Sequence, residues 1–189
     1  EGVFQGGNEW RGFDLKSLRY STSRISKYVT APEGLEEAIL LPDEKREFKV
    51  YFQEPDINGK YLVRNDLVEG DPLGADYVYV DFSLPRNEEI PGGDVYVYGG
   101  LSDLQCRREF RCTWDAAKKT YRLRVMMKQG YADYAYAFLP AGSTVPDLTL
   151  LEGSHFETGN DYLVLVYIHD YQLHCDRLLG LKFLNSRKG

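Results

Sequence analysis

The chain is poor in cysteine and histidine, short of positive charge, and without a long apolar run. Its three cysteines, Cys106, Cys112 and Cys175, leave one thiol over however they pair, which excludes a disulfide-stapled scaffold. Cys106 and Cys112 are near enough in sequence to bridge a local loop, and that pairing stays open. No Cys-x-x-Cys spacing occurs, so the commonest zinc and redox signatures are missing. No stretch approaches the roughly 20 apolar residues of a membrane-spanning helix. Glu1 does not open a charged-then-apolar leader, so an exported protein of this sequence is expected to have lost its signal peptide by cleavage. Lys and Arg number 23 against 29 Asp and Glu, and the net charge of −6 disfavours a phosphate-binding surface and hence nucleic acid.

What the chain has is alternation. Between residues 75 and 84 the order AlaAspTyrValTyrValAspPheSerLeu puts Val78, Val80, Phe82 and Leu84 on one face of a strand and Tyr77, Tyr79, Asp81 and Ser83 on the other. Further strands are expected at 13–20, 24–29, 38–41, 47–52, 61–64, 94–98, 121–127, 131–138, 147–151, 161–168 and 177–184. Helical signals are scarce, and only residues 30–37, with Pro32 suited to a first helical position, suggest a short turn of helix. Asn58-Gly59 predicts a type I′ turn joining 47–52 to 61–64 in a hairpin. The Asp-, Gly- and Pro-rich stretch 65–76 reads as a linker, with a domain boundary near residue 72. The fold class expected is all-β. Seven short strands after residue 72 match an immunoglobulin-like β-sandwich (residues 73–189), preceded by part of a second β-sandwich domain (residues 1–72).

Chemistry is sparse. No Gly-x-Ser-x-Gly presents a nucleophile, and Gly153-Ser154-His155 reads as a polar turn. His169, Asp170, His174, Cys175 and Asp176 are metal-ligand types, but the spacing fits a polar hairpin loop between strands better than a zinc site. Asp56, Asn58 and Gly59 lack the rest of a calcium loop. No catalytic residue, metal or cofactor is expected, and the chain is read as non-enzymatic. Arg107, Arg108, Arg111, Lys118, Lys119, Arg122 and Arg124 form either a solvated sheet face or a surface for an acidic partner. Tyr77, Tyr79, Tyr96, Tyr98, Tyr134 and Tyr136 serve either cross-strand packing or an exposed aromatic face for sugar or protein.

Several segments taken in order resemble one family. GlyGlyAsnGluTrpArgGlyPheAspLeuLysSerLeuArgTyr (6–20), AspIleAsnGlyLysTyrLeuValArg (56–64), AlaAspTyrValTyrValAspPheSerLeuPro (75–85), LysGlnGlyTyrAlaAspTyrAlaTyr (128–136) and AspArgLeuLeuGlyLeuLysPheLeuAsnSer (176–186), with 40–49 and 151–162, are similar to the C-terminal half of the type IX secretion system plug protein. That resemblance implies a periplasmic component of protein secretion in Bacteroidota, associated with the outer membrane without spanning it. Its partner would be the outer-membrane translocon barrel, whose periplasmic opening the family seals, and the family's N-terminal domain would be missing here. A more distant resemblance, over residues 92–147, is to early-set immunoglobulin-like modules that bind glycogen or starch. It leaves a carbohydrate-binding module as the alternative, weakened because Leu104 stands where those modules carry Trp. For partner binding, the tip loops supply the candidates Gly99, Leu101, Asp103, His155, Phe156 and Glu157, since loops on a rigid β scaffold commonly carry recognition.

Overall fold

The structure, a computed structural model, describes residues 4–66 and 72–187. It is mostly β, with few helices and several sheets. The strands are β1 (Arg11–Asp14), β2 (Ile25–Thr30), β3 (Glu36–Leu40), β4 (Tyr61–Val63), β5 (Tyr77–Pro85), β6 (Gly93–Tyr98), β7 (Thr113–Asp115), β8 (Thr120–Lys128), β9 (Gly130–Pro140), β10 (Asp161–Asp170) and β11 (Cys175–Asn185). One short helix, α1, spans Thr149–Glu152.

A five-stranded sheet runs in the order β2-β3-β5-β8-β7, antiparallel except for β3 beside β5. A second sheet is built on β9, which pairs with β1 and β4 near its start and with β6 along its second half. β10 and β11 form a separate two-stranded ribbon with a bulge between Val166 and Tyr167.

The alternation in β5 works as its chemistry demands. Val78, Val80, Phe82 and Leu84 are buried in one core with Phe13, Val95, Val97, Tyr134 and Tyr136 from the other sheet. Phe13, Phe82 and Tyr134 meet edge to face, with ring centroids 5.1–5.6 Å apart. Fully burying one such aliphatic or aromatic side chain is worth roughly 1.5–3 kcal/mol. The opposite face of β5 carries Tyr77, exposed, and Asp81, which is buried beside Arg122.

Strand pairing crosses the domain boundary expected near residue 72. β3, from before it, pairs with β5, and β1 and β4 pair with β9. Strands on both sides of residue 72 thus complete the same two sheets, which is why residues 1–72 hold too few strands for a sheet system of their own. Part of the expected linker, residues 67–71, lies outside the described residues.

Four local expectations also change. Residues 31–35 make the β2–β3 turn, closed by Ala31 N to Leu35 O at 2.8 Å, and Glu36 and Glu37 enter β3 rather than a helix. Segment 147–151 belongs partly to α1, because Asp147 Oδ1 accepts the N–H of Thr149 and of Leu150 and so starts a helical turn. Segment 47–52 joins no sheet. Asn58 and Gly59 do take positive φ, 58° and 72°, as a type I′ turn requires, but the turn feeds β4 toward β9 instead of closing a hairpin.

Candidate functional site

Residues 42–60 form an irregular strap across the β9 sheet, and a buried polar network fastens it. Asp43, whose side chain has no exposure, accepts from Arg11 Nη1 at 3.1 Å and Arg24 Nη2 at 2.6 Å through Oδ1. Its Oδ2 accepts the hydroxyls of Tyr134 at 2.9 Å and Tyr136 at 2.8 Å. Arg11 also donates to Glu152, and Glu152 Oε1 accepts Tyr136 N at 2.7 Å. Burial works to strip the proton from Arg11, but Glu152 and Asp43 outweigh it and hold the guanidinium charged. Burial raises both tyrosine hydroxyls well above their ordinary range, with Asp43 adding to it.

At the far end of the strap, Asp133 Oδ2 accepts the N–H of Ile57 at 2.6 Å and of Gly59 at 3.1 Å. Its carboxyl is pushed up to about 6 by burial, against the pull of those two donors. A cavity of about 480 Å³ opens beside the strap, lined by Trp10, Arg24, Arg46, Glu54 and Tyr131 among others. Its guanidiniums are already engaged: Arg24 by Asp43, and Arg46 by Glu54 and the carbonyl of Glu9. The cavity is thus stitched by internal ion pairs.

The six candidate contact residues fall in two places. Gly99, Leu101 and Asp103 belong to a 3-10 turn at Gly100–Ser102 that leans on the strap's end, where Gly100 N donates to Gly59 O at 2.6 Å. A Cβ on Gly100 would stand 2.7 Å from Tyr61 N, so the close approach requires glycine. Leu101 packs against the core, whereas Asp103 is exposed and bound to Arg107. His155, Phe156 and Glu157 lie elsewhere, by the chain's N-terminal segment: His155 N donates to Gly7 O at 2.8 Å. The His155 ring stands against Tyr51, and its Nε2 is buried without a hydrogen-bond partner. Phe156 is 92% exposed, and the Glu157 carbonyl accepts Arg187 Nε at 2.6 Å. The two loops therefore meet different parts of the strap.

The remaining sequence candidates resolve into structure. His169, Asp170, Cys175 and Asp176 sit at the tip of the β10–β11 ribbon, with His169 Nδ1 2.8 Å from Asp176 Oδ1. Among the described residues no group of three or more potential ligands is arranged for a metal ion. All three cysteines are free thiols. Four of the five arginines in that patch have an acidic partner: Arg107 with Asp103, Arg111 with Asp94, Arg122 with Asp81, and Arg124 with Glu33 and Glu37. The tyrosines form no common platform, since Tyr96, Tyr134 and Tyr136 are buried while Arg124 stacks 3.6 Å over Tyr79.

Sequence reading missed the surface that stands out most. The ribbon touches the two larger sheets little, and its residues are exposed along almost its whole length. Phe48, Val50 and Phe52 of the strap are also 73–96% exposed. Their alternation was a legible signal, but it reads equally as a strand.

No family profile matches the chain, and no curated protein matches it. A solved structure does: a hypothetical protein from Parabacteroides merdae ATCC 43184, 27% identical, superposes with a TM-score of 0.89 over 96% of this chain. The chain is similar to part of a longer Bacteroidetes protein. It spans 45% of the length of that protein, and the shared architecture is β-rich.

Proposed function

We propose that the chain is a non-enzymatic binding component of a type IX protein secretion system that seals the periplasmic opening of the outer-membrane translocon barrel. Its fold is then an immunoglobulin-like, early-set β-sandwich. The observation that carries this reading is the character of the surface. Exposed apolar side chains such as Phe156, Phe48 and Phe52 crown loops and strap, while the guanidiniums of the cavity beside the strap are engaged by internal ion pairs. Large exposed aromatic anchors on a rigid β scaffold suit protein docking rather than the enclosure of a small substrate. The ordered resemblance of segments between residues 6 and 186, and a structural relative among the Bacteroidetes, support the same assignment.

Co-purification with the translocon barrel tests it, together with current across barrel-containing membranes before and after the protein is added. Stable association and a fall in leak current are expected. Absence of both overturns the proposal.

A further inference from the structure

The β10–β11 ribbon is dressed as an interior element, yet among the described residues nothing covers it. On one face the directly paired residues Leu163 and Phe183, Leu165 and Leu181, and Tyr167 and Leu178 form three successive apolar rungs, all 43–72% exposed. On the other face Val164, Val166 and Ile168 are exposed as well, opposite Lys182, Gly180 and Arg177. A strand with one wet face alternates apolar and polar residues; an unbroken run such as residues 163–168 belongs to a strand covered on both faces. Among the described residues both outer edges of the ribbon are also unpaired. A lone two-stranded hairpin is marginally stable in water, and uncovered edges invite pairing with other chains.

The surface continues beyond the ribbon. Arg187, just after β11, binds Glu9 at 3.3 Å and Tyr51 of the strap, and Phe4 meets Tyr162 of β10 at 5.4 Å. Tyr51 of the strap and the exposed Phe4 thereby stand at the ribbon's base. Contiguous apolar surface on this scale marks an interface.

We infer that the ribbon docks a further domain of the same polypeptide, one corresponding to the part of the Parabacteroides protein outside the match. Three observations select this occupant. The match leaves out only 4% of this chain, too little to contain the ribbon, so a chain more than twice as long carries the ribbon on the same core. A two-fold contact with a second copy covers one face, whereas β10 carries apolar side chains on both, its second face being mixed with Lys182 and Arg177 of β11. A covalently attached domain is present at high effective concentration and so keeps such a surface covered. The inference is independent of the secretion reading and stands or falls without it.

Hydrogen–deuterium exchange on the complete product of the gene, beside the 189-residue chain, tests it, with molar mass measured by light scattering. In a monomeric complete product, the amides of residues 163–168 and 178–183 are expected to exchange about a hundredfold more slowly than in the 189-residue chain. Leu165→Asp with Phe183→Asp in the complete product should abolish that protection and expose the inter-domain segment to protease, while exchange in β5 and β9 stays unchanged. The unchanged core separates lost docking from failed folding. Unprotected ribbon amides in a monomeric product overturn the inference, as does protection that appears only in a dimer and vanishes on dilution. A gene product with no further domain overturns it too.

Discussion

The guanidinium of Arg11 lies flat against the carboxylate of Glu152, with Nε 2.9 Å from Oε1 and Nη2 2.9 Å from Oε2, across 141 residues of sequence. Both side chains are about 95% buried. Such a pair contributes little net stability compared with apolar residues, because desolvation consumes most of the attraction. Breaking it is another matter. Arg11→Met strands Glu152 and weakens the hold on Asp43, and it is expected to cost about 3–5 kcal/mol in urea unfolding. Arg24→Met, at a side chain that is one-third exposed, should cost on the order of 1 kcal/mol.

Tyr134→Phe and Tyr136→Phe each remove one donor from Asp43 Oδ2 without opening a cavity. Each is expected to lower stability by about 1–2 kcal/mol, since the acceptor is a buried carboxylate. Because they share one oxygen, the double variant should depart from additivity, and a double-mutant cycle read by denaturant midpoint measures the coupling.

Asp133 predicts a pH dependence of definite sign. Its folded pKa, about 6, is above the ordinary 3.8, so the native state holds a proton that the unfolded chain releases. This term destabilises fully above pH 6 and disappears below the unfolded pKa, so its contribution to stability falls as pH rises from about 4 to 6. Asp133→Asn keeps an acceptor for Ile57 and Gly59 and removes the titration. The difference in stability between variant and parent should grow across that window, by roughly 2 kcal/mol in favour of the variant, in thermal melts taken from pH 4 to 7.

Charge reversal separates the two loops as docking elements. Asp103 and Glu157 contribute little to the core, so Asp103→Lys and Glu157→Lys should leave the melting temperature within about 2 °C of the parent. Weakening of barrel association by about tenfold or more, near 1.4 kcal/mol, identifies the loop in contact. Unchanged association for both removes these loops from the interface.

The thiols should react in order of burial. Cys175, exposed on the ribbon, is expected to label first with a thiol reagent, half-buried Cys106 later, and Cys112 only on unfolding, since burial raises its thiol far above the ordinary range. Mass spectrometry of timed aliquots reads the sequence of labelling.

Much of the strand order was legible because a half-buried strand writes itself in period two. Val78, Val80, Phe82 and Leu84 point inward as their spacing requires, and the Asn58-Gly59 turn has the positive φ values its residues favour. Segment 47–52 shows the limit of that signal. Alternating Phe48, Val50 and Phe52 resemble a strand, but pairing is a property of a neighbour, and among the described residues no strand pairs with them. The six candidate contact residues lie between strands, yet their spacing could not reveal that Leu101 turns into the core while Phe156 stands in solvent.

By itself the sequence determined the β-rich class, most strand positions and the inward face of β5, because these depend on side-chain periodicity within a few residues. Only the tertiary structure decided that strands from both sides of residue 72 share two sheets, that Asp43 gathers Arg11, Arg24, Tyr134 and Tyr136, and that the ribbon stands uncovered. Those are contacts between residues distant in the chain, and burial and desolvation, which set their energies, exist only once the chain has folded.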